Sequence, residues 1–160
     1  MLLIFDLDDT LYSCTGQMKE ATKWEDAKRI VPFPGVVELL GSFPTEKILL
    51  SRETDAGLQD IKINALGIRS YFSRIYLCQR NEEKRDLLGI IKKEYSSGDI
   101  WVVGDRLDSE IQYGNELGLK TVWLRYGKYK DVFPQNEYQQ AHHTITEFSQ
   151  LKGILSNILQ

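Results

Sequence analysis

Asp6 and Asp8 stand two residues apart, immediately after the apolar run Leu2-Leu3-Ile4-Phe5. In extended backbone just past a strand end, that spacing points both side chains to the same side. Two carboxylates in one site repel unless one keeps its proton or a cation lies between them, and an enzyme can use either arrangement. Further along the chain, Ser51, Lys84 and Asp105 each follow an apolar run, a hydroxyl, an ammonium and a third carboxylate respectively.

The elements that must bring these residues together are read from periodicity. Leu2 to Phe5, Lys47 to Leu50, Ile75 to Cys78, Ile100 to Val103 and Thr121 to Leu124 are short apolar runs of the kind buried on both faces of a parallel sheet. Between them lie helical patterns. The stretch from Gln17 to about Ile30 is rich in helix formers and is closed by Pro32 and Pro34, and Gly35 to Leu40 reads as a short helix. Leu58, Ile61, Leu66 and Ile68 mark a helix stopped by Gly67. Leu87, Leu88, Ile90 and Ile91 form the stripe of a helix from about Glu82 to Tyr95, with Asn81 as its cap. A helix from about Asp108 to Leu117 ends at Gly118, and Thr144 and Glu147 have capping-box spacing for a last one. Alternating strands and helices predict an α/β fold, a three-layer doubly wound parallel sheet. In such a sheet the crevice is lined by loops at the carboxyl ends of the strands, so Asp6, Ser51, Lys84 and Asp105 are expected on one rim.

The totals set bounds. A chain of 160 residues fits a single domain, residues 1–160, without needing disulfides, and Cys14 and Cys78 form no CxxC pair. A net charge of -3 disfavours general nucleic-acid binding, and no run approaches the ~18 apolar residues of a membrane span. The short apolar start, lacking a basic flank, is not expected to be a signal peptide. The expected setting is therefore reducing and cytoplasmic.

These motifs resemble those of the haloacid dehalogenase (HAD) superfamily, specifically its aspartate-dependent phosphatases. The first motif, DxDxT, is matched by Asp6, Asp8 and Thr10, the second by Ser51, the third by Lys84, and the fourth by Asp105 in GDRLDSE. The resemblance runs from Leu2 to about Tyr126 and implies a Rossmann-like HAD core. It implies that Asp6 is the nucleophile that forms an aspartyl-phosphate, and that Asp8 is acid in one half-reaction and base in the other. It further implies Mg2+ held by Asp6, the Asp8 carbonyl and Asp105, a hard all-oxygen set that suits this ion. Thr10, Ser51 and Lys84 would bind phosphate, while Arg52 could touch substrate or face solvent. Many relatives carry a second acidic residue after the fourth-motif aspartate; here either Asp108 or Glu110 fills that supporting role. Asp8 favours phosphate esters over carbon-halogen bonds, because a departing halide needs no proton.

In this family a cap domain often sets specificity, and here only residues 13–32 are free to act as one. The site is expected to be open, suited to a phosphorylated macromolecule or to a small phosphoester in a homo-oligomer. Phosphoryl transfer to an organic acceptor and a non-catalytic binding module of the same fold are the alternatives. His142 and His143 are expected in a surface loop, Cys14 as a small buried residue, and the run from Trp123 to Lys130 as strand end and loop.

Overall fold

The computed structural model describes residues 1–96 and 98–159. Its strands are β1 Leu2–Phe5, β2 Glu46–Arg52, β3 Arg74–Cys78, β4 Ile100–Gly104, β5 Lys120–Leu124 and β6 His143–Ile145. All pair in parallel in the order β3-β2-β1-β4-β5-β6. The α-helices are α1 Cys14–Gln17, α2 Lys23–Asp26, α3 Val36–Ser42, α4 Leu58–Leu66, α5 Glu83–Glu94, α6 Gln112–Glu116 and α7 Gln150–Ile158.

β1 lies at the centre, and its alternation accounts for the layering. Leu3 and Phe5 enter a core shared with Leu39, Leu40, Ile63 and Leu151, while Leu2 and Ile4 enter a second core with Leu88, Ile91 and Val102. Burying each of these four β1 side chains contributes roughly 1.5–3 kcal/mol, which holds the strand in place even though it ends in a repelling carboxylate pair. The chain leaves β1 toward β2 and β3, then returns to place β4 on the other side of β1. The reversal makes the carboxyl ends of β1 and β4 the switch point of the sheet, where crevices form. The Asp6 amide donates to the Val103 carbonyl across that point at 3.0 Å.

Three expectations are corrected. Residues from Gln17 to Ile30 do not form one helix but α1, a 3-10 turn at Glu20–Thr22, and α2. The reason lies in competing side-chain bonds: Asp26 accepts from the Lys19 amide and the Thr22 hydroxyl, and the Gln17 amide group pairs with both backbone polar groups of Val31. His143 lies in β6, a three-residue edge strand too short to show a period. Thr144 lies in that strand too, so it cannot cap α7; the Gln150 Oε1 instead accepts from the Thr146 and Glu147 amides. No helix among the described residues is long and apolar enough to cross a membrane.

Candidate active site

Carboxylate oxygens of Asp6, Asp105 and Glu110 lie within 4.8 Å of one another, all three residues buried. Lys84, near the start of α5, donates to Asp6 at 2.9 Å and to Glu110 at 2.5 Å. One ammonium thus faces three carboxylates. Burial raises the Asp6 carboxyl to about 6 against the pull of Lys84, and burial with the Asp6 and Glu110 charges lifts Asp105 well above the ordinary range. Glu110 Oε2 is buried with no hydrogen-bond partner. An all-oxygen, over-negative cluster with an orphaned acceptor fits a hard divalent cation, which Asp6, Asp105 and Glu110 would hold.

The cluster has a measurable signature. Asp6 binds its proton more tightly in the folded chain than at its ordinary value of 3.8, so its contribution favours folding below 3.8 and is lost as pH rises through about 6. In chelator, the melting temperature is expected to fall across that window, and Mg2+ should flatten the fall. A melting temperature that does not change with pH in chelator would contradict this.

Glu110 rather than Asp108 reaches the cluster because the chain after Arg106 makes a π-turn, Leu107–Ile111, in which the Ile111 amide donates to the Arg106 carbonyl. The Glu110 side chain is 3% exposed, whereas that of Asp108 is 53% exposed and turns outward to accept from Nε and Nη2 of Arg106. The expected α-helix from Asp108 therefore begins only at Gln112, and Asp108 stands outside the cluster. Gly104 makes room for this approach. A Cβ there would lie 2.6 Å from both Cβ and Cγ of Glu110. Gly104→Ala is expected to push Glu110 out and weaken Mg2+ binding at least tenfold, measured by titration calorimetry; unchanged affinity would remove Glu110 from the metal set.

Asp8 has a separate environment. It accepts from Lys62 at 2.8 Å, Gln59 at 3.1 Å and the Tyr12 hydroxyl at 2.5 Å. Burial pushes its carboxyl up, but the Lys62 charge and these three donors outweigh it and hold the group below the usual carboxylate value. Gln59 also donates to the Ser51 hydroxyl at 2.7 Å, joining the ends of β1 and β2 through one side chain.

A cavity of about 540 Å³ opens over these groups, lined by Asp6, Asp8, Lys84, Asp105 and Glu110 and by Arg52 on its lip. Ser51 is buried beside it. Arg52 is exposed, and its Nε donates to the Gln79 carbonyl at 3.3 Å. Thr10 is not brought to the cavity: it is fully buried, with its hydroxyl unpartnered, because the turn after Asp8 directs it into the interior. A phosphate contact from Thr10 therefore has no support in the geometry. Cys14 lines the cavity half-buried instead of lying in the core.

A HAD-hydrolase-like family model matches residues 80–151. Two curated phosphatases are similar. N-acylneuraminate-9-phosphatase of Rattus norvegicus is 31% identical over 123 residues, 70% of this chain and 46% of that protein. Glyceraldehyde 3-phosphate phosphatase of Pyrococcus furiosus is 33% identical over 100 residues, 59% of this chain and 41% of that protein. The chain belongs to the HAD-like superfamily. It spans less than half the length of these two relatives. Its fold matches D,D-heptose 1.7-bisphosphate phosphatase from B. bronchiseptica, solved with magnesium and phosphate, at a TM-score of 0.74 and 14% identity over 98% of both chains.

Within this HAD-like chain, the site residues that sequence reading missed are Gln59, Lys62 and Tyr12. A signal for the first two existed. They share the buried face of α4 with Leu58, Ile63 and Leu66, and polar residues in an apolar stripe call for a buried partner.

Proposed function

We propose that this chain is a magnesium-dependent phosphomonoesterase that works through an aspartyl-phosphate on Asp6. The observation that carries this reading is Asp6 itself, at the sheet's switch point, facing a buried ammonium and two further carboxylates at the floor of an open cavity. Bound Mg2+ would screen the approach of a phosphate dianion to an aspartate and orient its oxygens. Lys84 holds Asp6 Oδ1 and so leaves the other carboxylate oxygen to attack phosphorus. Lys84, in the first turn of α5, and the Ser51 hydroxyl would take phosphoryl oxygens. Asp8 would give its proton to the departing alkoxide, then take one from the water that opens the acyl-phosphate. The two relatives, a glyceraldehyde 3-phosphate phosphatase and an N-acylneuraminate-9-phosphatase, support the reaction class.

Residues 13–32 read as a minimal lid. Their ends are fixed near the cavity by Asp9, which accepts from the Thr15 amide and hydroxyl, and by the bridge between Tyr12 and Pro32. Far from those anchors, Lys23 reaches Asp55 at 3.0 Å. Cover this slight leaves the cavity open to substrate from one side.

The direct test is hydrolysis of an aryl phosphate with Mg2+ and then with excess chelator. Turnover only with metal is expected, and equal rates would sink the reading. A second result is expected from Lys62. Because this side chain lowers the Asp8 pKa, Lys62→Met raises it and moves the alkaline limb of the kcat/KM profile, set by loss of the proton Asp8 must donate, to higher pH. A limb that stays put would remove Lys62 from the control of Asp8.

A further inference from the structure

The cations at the floor of the cavity are all paired; two at its mouth are not. Lys84 meets Asp6 and Glu110, Lys62 meets Asp8, Lys23 meets Glu20 and Asp55, and Arg106 meets Asp108. Two other cations line the same cavity, Arg52 at the end of β2 and Lys128 in the 3-10 turn Gly127–Tyr129 after β5. Among the described residues, neither has a carboxylate within ion-pair distance.

Lys128 is not on a loose loop. Gly127 adopts φ +70, and a Cβ on it would lie 2.5 Å from Asp9 Oδ2, so the turn is packed directly against the loop that bears Asp6 and Asp8. The Ser13 and Tyr126 hydroxyls, 2.7 Å apart, tie the same two segments together. The Arg106 guanidinium lies 4.6 Å from the centre of the Tyr129 ring and the Lys128 ammonium 5.4 Å from it, so the ring is held at the mouth beside the free ammonium.

A phosphoryl group would already be met by Lys84, Ser51 and a cation at the floor. A neutral leaving group would gain nothing from two unmatched charges above it. A second anion would need them, because Asp6, Asp8, Asp9, Glu20, Asp105 and Glu110 all line the cavity and would repel it. We propose that the leaving group carries a second anionic group, a carboxylate or a phosphate, received at the mouth by Lys128 and Arg52. The proposal rests on the phosphomonoesterase reading and names the class of substrate for it.

The test compares 3-phosphoglycerate with glycerol 3-phosphate, which share a carbon skeleton and differ in whether the far end is charged, with an aryl phosphate as control. The kcat/KM ratio in favour of the carboxylate is expected to be roughly tenfold at low ionic strength, expressed mainly in KM. It should shrink in 0.5 M salt, on the order of the screening expected for exposed charges. The Arg52→Met/Lys128→Met double variant should bring the ratio close to one; taking the ratio within a single preparation cancels any loss of folded protein. A wild-type ratio of one or below, or a ratio the double variant leaves intact, overturns the proposal. Hydrolysis of the aryl phosphate alone also overturns it while the phosphatase reading stands, and hydrolysis of none of the three overturns both.

Discussion

Asp6→Asn is expected to fold and to lose at least about 10⁴-fold in turnover of a phosphomonoester, about 5 kcal/mol of transition-state stabilisation. The amide matches the carboxylate in shape and keeps an oxygen to accept from Lys84, so the change is chemical and not steric. What disappears is the anionic nucleophile, and with it the covalent step. The same change takes one charge out of a crowded trio, so in chelator the variant should melt no lower than the wild type above pH 6, the region where burial and like charges disfavour ionised Asp6. The two readouts are turnover of an aryl phosphate and thermal melting. Retained turnover would exclude Asp6 as the nucleophile, and a large drop in melting temperature would mean that the variant fails through misfolding.

Lys84→Met should produce the largest loss of stability. Its ammonium is buried against Asp6 and Glu110, and those charges raise the Lys84 pKa even though burial pulls it down. Removing it leaves three buried carboxylates without a cation, a change of the kind that costs about 3–5 kcal/mol. For a chain of this size that corresponds to a fall of roughly 10 °C in melting temperature in chelator. Mg2+ should restore part of it, since an ion bound only by the folded state shifts the equilibrium by mass action. Calorimetry with and without the metal makes the comparison. A variant as stable as the wild type in chelator would mean that the carboxylates do not depend on Lys84.

The sequence carried the fold because its strongest signals are local. Runs such as Leu2 to Phe5 and Ile100 to Val103 are apolar on every residue, which only a strand buried on both faces needs, and they alternate with helices stopped at Gly67 and Gly118. Asp6, Lys84 and Asp105 could be gathered on one rim because each follows a strand and the parallel topology points all strand ends the same way. What escaped depends on geometry that spacing does not encode. A count from Asp105 treats Asp108 and Glu110 alike, and the π-turn adds the extra rotation that turns one inward and the other out. Thr10 matched a motif position, yet its hydroxyl turned into the interior without a partner. The stretch from Gln17 to about Ile30 looked helical by composition, but the Asp26 and Gln17 side chains bond to the backbone of Lys19 and Val31 and break it into shorter turns.

Gln59 has a consequence for anyone who would redesign this protein. Its amide nitrogen reaches both Asp8 and Ser51, so the proposed phosphoryl grip and the proposed proton carrier share a single mechanical linkage. A change at Ser51 meant to alter substrate preference would loosen Asp8 as well. Conversely, a library that varies Ser51 and Gln59 as a pair samples a coordinate along which the two halves of the chemistry can be retuned without coming apart.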